Sequence, residues 1–153
     1  MGTQAFRVGF SGTARGLTEP QRDALTEEVQ RHYVTEAHHG DSLGADAEFH
    51  GMVELLRPHA LLVIHPGTDS LVRAFCAGGK IHTPKYREQR NGDIVRASQI
   101  VLAAPGGMKE EEWVDVWLTI RLARAEELPV SIVWPDGSIT REREDKLCLE
   151  KKP

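Results

Sequence analysis

The chain reads as an α/β domain of three layers, a mainly parallel sheet of five or more strands with helices on both faces. Three observations predict this. Short apolar runs alternate with longer amphipathic segments, the runs stop in glycine- or proline-rich turns, and 153 residues suit one domain with a real core. Phe6-Arg7-Val8-Gly9-Phe10 is the first strand, expected at or near the centre of the sheet. Thr18-Glu19-Pro20-Gln21 then has the form of a capping box, with proline tolerated in the first turn. The helix it opens carries Leu25, Val29 and Tyr33 at steps of four.

Glu36 to His39 is a second strand, and Gly40-Asp41-Ser42-Leu43-Gly44 leads from it into another helix. Ala45, Phe49, Met52, Val53 and Leu56 share one face of that helix, and Pro58 ends it. Ala60-Leu61-Leu62-Val63-Ile64 is apolar throughout, as a strand covered on both faces should be. Gln99-Ile100-Val101-Leu102-Ala103 is a comparable run, stopped by Pro105-Gly106-Gly107. A long helix is predicted next, with Trp113, Val116, Trp117, Ile120 and Ala123 at helical spacing. Val130 to Trp134 is the last predicted strand. Residues 77–90, with two glycines, a proline and five basic or histidine side chains, read as a long loop or lid. Residues 1–137 form the expected ligand-binding domain, and residues 138–153 a charged C-terminal tail or short helix.

Composition excludes several classes of function. The net charge is −4, and no basic stripe interleaved with aromatics is present, which argues against nucleic acid as a partner. Neither a membrane-spanning run nor a polybasic anchor occurs, and Met1-Gly2-Thr3-Gln4-Ala5-Phe6 lacks the apolar stretch of a signal peptide. Two cysteines, Cys76 and Cys148, make no disulfide framework and lack metal spacing, which points to a reducing, cytoplasmic setting.

In an open α/β sheet ligands bind beyond the carboxyl ends of the strands, so the turns there carry the functional expectation. They read Ser11-Gly12-Thr13-Ala14-Arg15-Gly16, Gly40-Asp41-Ser42-Leu43-Gly44-Ala45-Asp46, His65-Pro66-Gly67 and Pro105-Gly106-Gly107. Glycines let a ligand approach the backbone, and helix starts aim N–H groups at it. One glycine turn means little, whereas four together predict a cleft. The first turn is neither a Walker A loop nor GxGxxG, so no ATP chemistry and no cofactor is implied. Asp41 and Asp46 flank a helix start, where a carboxylate accepts hydrogen bonds from ribose hydroxyls or base N–H groups; capping is the plainer role for Asp41 or Ser42. Seven histidines include no His-Glu-x-x-His motif, and the adjacent His38 and His39 point to opposite faces of a strand, so no metal site is assigned. The run Lys109-Glu110-Glu111-Glu112 reads as an acidic helix start, or as the source of a carboxylate facing the cleft, and Trp113 and Trp117 as core, or at an exposed edge as a surface for stacking on a base.

Val8 to Thr13, His39 to Asp46, His65-Pro66, Arg90-Asn91-Gly92-Asp93-Ile94-Val95 and Ala103 to Gly107 occur in that order. Together they resemble the SLOG superfamily of Rossmann-like nucleotide-binding domains, which includes LOG-type phosphoribohydrolases, DNA-processing Smf/DprA domains and sensors of nucleotide-derived signals. The resemblance spans roughly residues 6–137. It implies a Rossmann-like fold, a homodimer burying the apolar face around Trp113 and Trp117, and a site built from Ser11, Gly12, Thr13, Gly40, Asp41, Gly44, Asp46, His65, Arg90, Asn91, Pro105, Gly106 and Gly107.

The departures from that pattern shape the functional reading. LOG-type enzymes carry Pro-Gly-Gly-x-Gly-Thr-x-x-Glu, with phosphate on the Gly-Thr turn and a glutamate for N-glycosidic hydrolysis. Here Lys109 and Glu110 replace the Gly-Thr pair, and Glu112, one residue short of the glutamate position, is the catalytic candidate. A related Ser-Gly-Thr-Trp pattern is replaced by Val114-Asp115-Val116-Trp117. A carboxylate beside a phosphate repels it, so a phosphate would need a substitute cation such as Arg73 or Arg90. The favoured expectation is therefore a module that senses or sequesters a nucleotide-derived small molecule. The alternative is a LOG-type hydrolase acting on nucleoside monophosphates, with Glu112 or Asp115 near the anomeric carbon.

Overall fold

A computed structural model describes residues 4–150, with side chains through residue 147; Met1-Gly2-Thr3, the last three residues and the Cys148 side chain lie outside that description. The elements in chain order are β1 (Arg7–Gly12), α1 (Glu19–Arg31), β2 (Glu36–His39), α2 (Ala45–Leu56) and β3 (Leu61–Ile64). After a single 3-10 turn at Ser70–Val72 come β4 (Lys80–Ile81), α3 (Arg87–Arg96), β5 (Ile100–Ala104) and α4 (Asp115–Ala125). β6 (Val130–Val133), β7 (Ile139–Glu142) and α5 (Asp145–Glu150) complete the chain. The strands form one seven-stranded sheet in the order β4-β3-β2-β1-β5-β6-β7, parallel except for the β6–β7 pair. β1 is central, as expected.

The alternation along β5 shows how the layers are made. Ile100, Leu102 and Ala104 face α1 and α2, packing with Val8, Phe10, Leu25, Phe49 and Val53. Val101 and Ala103 face the other layer, packing with Val95 of α3 and Val116, Trp117, Ile120 and Ala123 of α4. Both faces of the central strands are dry, which is why their sequences are apolar runs rather than alternations. The Phe10 and Phe49 rings stack with centroids 4.3 Å apart, locking α2 over β1.

The capping box forms as read. Thr18 Oγ1 accepts from Gln21 N, and Gln21 Oε1 accepts from Thr18 N. Gln21 does more than cap: its buried Nε2 donates to Pro105 O (2.9 Å) and Val133 O (2.8 Å), tying α1 to the ends of β5 and β6.

Several local expectations are corrected. Tyr33 lies beyond α1 and is exposed, because the helix ends at Arg31. Trp113 precedes α4 and is 81% exposed, whereas Trp117 is core; the helix begins only at Asp115. The Glu110–Glu112 run is accordingly loop, with Glu110 paired to Arg121 and Arg124 further along α4. Part of the predicted lid is regular: Lys80–Ile81 pair with β3, and α3 begins at Arg87. Residues 139–142, read as tail, form the antiparallel edge strand β7. Among the described residues no helix is long and apolar enough to cross a membrane.

Candidate functional site

The chain runs outward from β1 through β2 and β3 to β4, then returns through α3 to β5 on the other side of β1. Beyond the carboxyl ends of these strands lies a cleft of about 150 Å³. Gly40, Asp41 and Ser42 follow β2 and Gly67, Thr68 and Asp69 follow β3; Val72 and Arg73 close one side. Arg87 and Arg90 from α3 and Asp115 from α4 close the other. Larger hollows of about 330 and 420 Å³ exist; the one between α1 and α2 is lined by Met52, Leu55 and Leu56 with Arg22, Thr26 and Glu48, of which Arg22 and Glu48 pair with each other, and it lies away from the strand ends.

Arg90 organises the cleft. The first turns of α3 put Arg87, Arg90 and Asn91 on one stripe that continues into the buried Ile94 and Val95. Arg90 is buried, and its Nη1 donates to Gly40 O at 2.7 Å and, more weakly, to His65 O at 3.4 Å. Nε donates to Asn91 Oδ1, and Nη2 stands 3.5 Å from Asp115 Oδ2. Gly40 is needed for this approach, since a Cβ there would lie 2.6 Å from Arg90 Nη1.

Asp41 holds the opposite bank. It is fully buried at a positive φ of 59°, a conformation that aspartate tolerates better than most residues. Its carboxylate accepts from Arg73 Nε (2.7 Å) and Cys76 N (2.9 Å), and its carbonyl accepts from Ala74 N (2.7 Å). Burial alone would raise its pKa, but the Arg73 guanidinium and the Cys76 N–H outweigh burial and hold it below the ordinary carboxylate value. The same burial, with Asp41 beside it, pushes the Cys76 thiol up to about 12, so this cysteine stays protonated.

Asp46, in the first turn of α2, is buried behind Gly40, with Oδ2 accepting from Ser42 N at 3.1 Å. Burial pushes its pKa up to about 7 against the pull of Ser42 N–H, Arg90 and Gly12 N–H. Asp46 Oδ1 and Asn91 Nδ2, on either side of Arg90, are buried without a protein hydrogen-bond partner.

The turns after β1 and β5 meet each other. Thr13 N donates to Ala104 O at 2.9 Å, and a Cβ on Gly106 would approach Thr13 Oγ1 to 2.7 Å. Thr13 O accepts from Ala45 N, and Gly12 packs on Ala45 and Phe10, which joins this turn to the start of α2. Gly44 caps α2 at φ 91°, and a Cβ there would lie 2.4 Å from Ala14 O. All four glycine turns thus lie at one end of the sheet.

The predicted residues separate into four groups. Gly40, Asp41, Arg73 and Arg90 line the cleft directly. Asp46, Asn91 and His65 lie behind it, buried, while Ser11, Gly12, Thr13, Gly44, Pro105 and Gly106 build the adjoining β1–β5 junction. Gly107 sits by the loop residue Glu111, and Glu112 is exposed, its carbonyl accepting from Arg121 Nη2. Asp115, rather than Glu112, lines the cleft. Thr68, Asp69 and Val72 also line the cleft and carry no sequence signal, while Arg87, one of the basic residues of the 77–90 segment that could serve a phosphate, precedes Arg90 on α3 by one helical turn.

The histidines pair across the two sheet faces. His38 Nε2 donates to Glu36 Oε2 (2.6 Å), so His38 Nδ1 accepts from His65 Nε2 (2.8 Å). Burial lowers both pKa values, that of His65 to about 3. On the other face His39, His50 and Cys76 place potential metal-ligating atoms within 4.8 Å of one another. Their ring nitrogens are already assigned, however. Asp41 N–H donates to His39 Nδ1 (3.0 Å), His39 Nε2–H to His50 Nδ1 (2.8 Å), and His50 Nε2–H to Ala77 O (2.9 Å). An ion at His39 Nε2 would require a proton on Nδ1, where the Asp41 N–H already points. The chain of bonds is a strap that fixes the loop at residues 73–77.

No family model matches the sequence, and no curated protein matches it. Two solved structures share its architecture. One is a molybdenum cofactor binding protein from the phototrophic bacterium Rippkaea orientalis, with TM-score 0.65 and 14% identity, over 87% of this chain and 78% of that one. The other is the protein TM1055, with TM-score 0.56 and 14% identity, over 82% of this chain and 72% of that one. At such identity the likeness establishes the fold alone: this is a Rossmann-like α/β domain with a mostly parallel sheet.

Proposed function

We propose that the protein binds a nucleotide-derived small molecule in the cleft at the carboxyl ends of β2 and β3. The observation that carries this reading is Arg90, a buried cation that joins Gly40, His65, Asn91 and Asp115 in the wall of an open cleft. Burying a guanidinium is costly unless its hydrogen bonds are met, and here they converge on the turns that would meet a ligand. Asp115 Oδ1, on a residue that lines the cleft and buried without a hydrogen-bond partner, supports the same reading. So does the likeness to a cofactor-binding protein. A cleft of about 150 Å³ encloses part of a nucleotide, such as its sugar or base edge, and leaves the remainder outside. The test is a thermal-shift screen over nucleobases, nucleosides, cyclic and linear nucleotides and ADP-ribose derivatives. A true ligand raises Tm with its concentration.

Hydrolysis of an N-glycosidic bond is the second reading, and one observation favours it: the Asp115 carboxylate lies in the cleft. Both of its oxygens already stand beside guanidinium groups, those of Arg87 and Arg90. Binding without turnover is the better account. Assembly as a homodimer belongs to the same proposal, with Trp113 rather than Trp117 free to be covered, and sedimentation velocity tests it.

A further inference from the structure

Resting on the binding reading above, we infer that the part of the ligand seated in this cleft is uncharged and rich in hydrogen-bond donors: a nucleoside or nucleobase, with no phosphate. The lining holds three arginines, Arg73, Arg87 and Arg90, against three aspartates, Asp41, Asp69 and Asp115. Each of these cations already stands beside a carboxylate. Arg73 Nε is 2.7 Å from Asp41 Oδ2, Arg87 Nε is 3.2 Å from Asp115 Oδ1, and Arg90 Nη2 is 3.5 Å from Asp115 Oδ2. Arg90 spends its other N–H groups on Gly40, His65 and Asn91.

Asp69 pairs with no cation among the described residues; its carboxylate accepts from Leu71 N at 3.0 Å and stands exposed on the rim. Helix α4 begins with Asp115, so a carboxylate already occupies the positive end of the dipole that faces the cleft. A phosphate entering here carries acceptors only. It meets carboxylates that it repels, and must compete with a carboxylate already beside each guanidinium. Ribose hydroxyls and base N–H groups donate, and the free lone pairs of these same carboxylates accept.

Titration calorimetry with matched probes tests this: adenosine against AMP, guanosine against GMP, and inorganic phosphate alone. The wild type is expected to bind the nucleoside at least about tenfold more tightly than its monophosphate, and inorganic phosphate not at all. Asp115→Asn frees Arg87 and Arg90, so it should gain monophosphate affinity by about tenfold or more relative to nucleoside. Asp69→Asn, at an exposed position, should move the ratio the same way and serves if Asp115→Asn melts at lower temperature. Tighter binding of the monophosphates by the wild type, or an unmoved ratio in both variants, overturns this inference and leaves the binding reading standing. Absence of binding by every nucleoside and nucleotide overturns both.

Discussion

Arg90 Nη1 donates to the carbonyl of Gly40 at 2.7 Å, and this one bond joins the start of α3 to the turn after β2. Its neighbours depend on it, because Asp115 and the buried Asp46 both face that guanidinium. Arg90→Met should therefore cost roughly 3 kcal/mol, the usual price of leaving buried polar partners without their cation. Arg90→Lys should recover only part of that, since one ammonium cannot reach Gly40, Asn91 and Asp115 together. Urea unfolding with an unchanged m-value measures both.

The contact between Thr13 and Gly106 makes a second prediction. A β-carbon at 106 would press on Thr13 Oγ1, which itself accepts from Arg15 N. Gly106→Val should destabilise the fold by about 1–3 kcal/mol through overpacking at the β1–β5 junction. The double variant Gly106→Val, Thr13→Ala should regain part of the loss, which a double-mutant cycle reads directly.

The pH dependence of stability carries opposing slopes. His39 and His65 are held by burial at about 3 in the folded protein, against 6.5 for the free side chain. The unfolded chain therefore takes up their protons first, and stability falls as pH drops below 6.5 towards 3. Asp46 acts in reverse. Folded, it keeps its proton up to about 7, while the unfolded side chain loses it near 3.8, so its contribution is lost as pH rises between those values. Asp41, held low by Arg73 despite its burial, adds a loss only below 3.8. Asp46→Asn should accordingly be more stable than wild type at pH 8, and the two should converge near pH 4. A lower Tm for Asp46→Asn at pH 8 would mean that the buried carboxylate is favourable as an anion.

Glu112 is an exposed loop residue outside the cleft, so Glu112→Gln should leave ligand affinity unchanged. Release of free base from nucleoside monophosphates should be weak or absent in both proteins by chromatography. Robust turnover that collapses in Glu112→Gln would establish the hydrolase.

The central elements were legible because their burial forces a pattern. β1, β2, β3, β5 and β6 are short apolar or mixed runs ended by glycine or proline, and Thr18-x-x-Gln21 marks the start of α1. α3 was not legible because the stripe it turns inward begins with Arg87, Arg90 and Asn91, polar residues whose partners are turns distant in sequence. β4 has two exposed residues, and β7 is a polar edge strand whose Arg141 reaches the buried Glu28 of α1. Neither leaves a hydrophobic period to read. In the site, the glycine turns were visible, but the Arg–Asp pairings that neutralise the cleft are tertiary and have no local signature.

Blocking the cleft tests the central claim most directly. Thr68 is an exposed lining residue, and Thr68→Trp should fill the cleft without touching the core. For the nucleoside that gives the largest thermal shift, calorimetric affinity should fall at least about tenfold in Thr68→Trp, while Leu55→Ala, in the separate groove between α1 and α2, binds as wild type. Undiminished affinity in Thr68→Trp would place the ligand elsewhere and contradict the account.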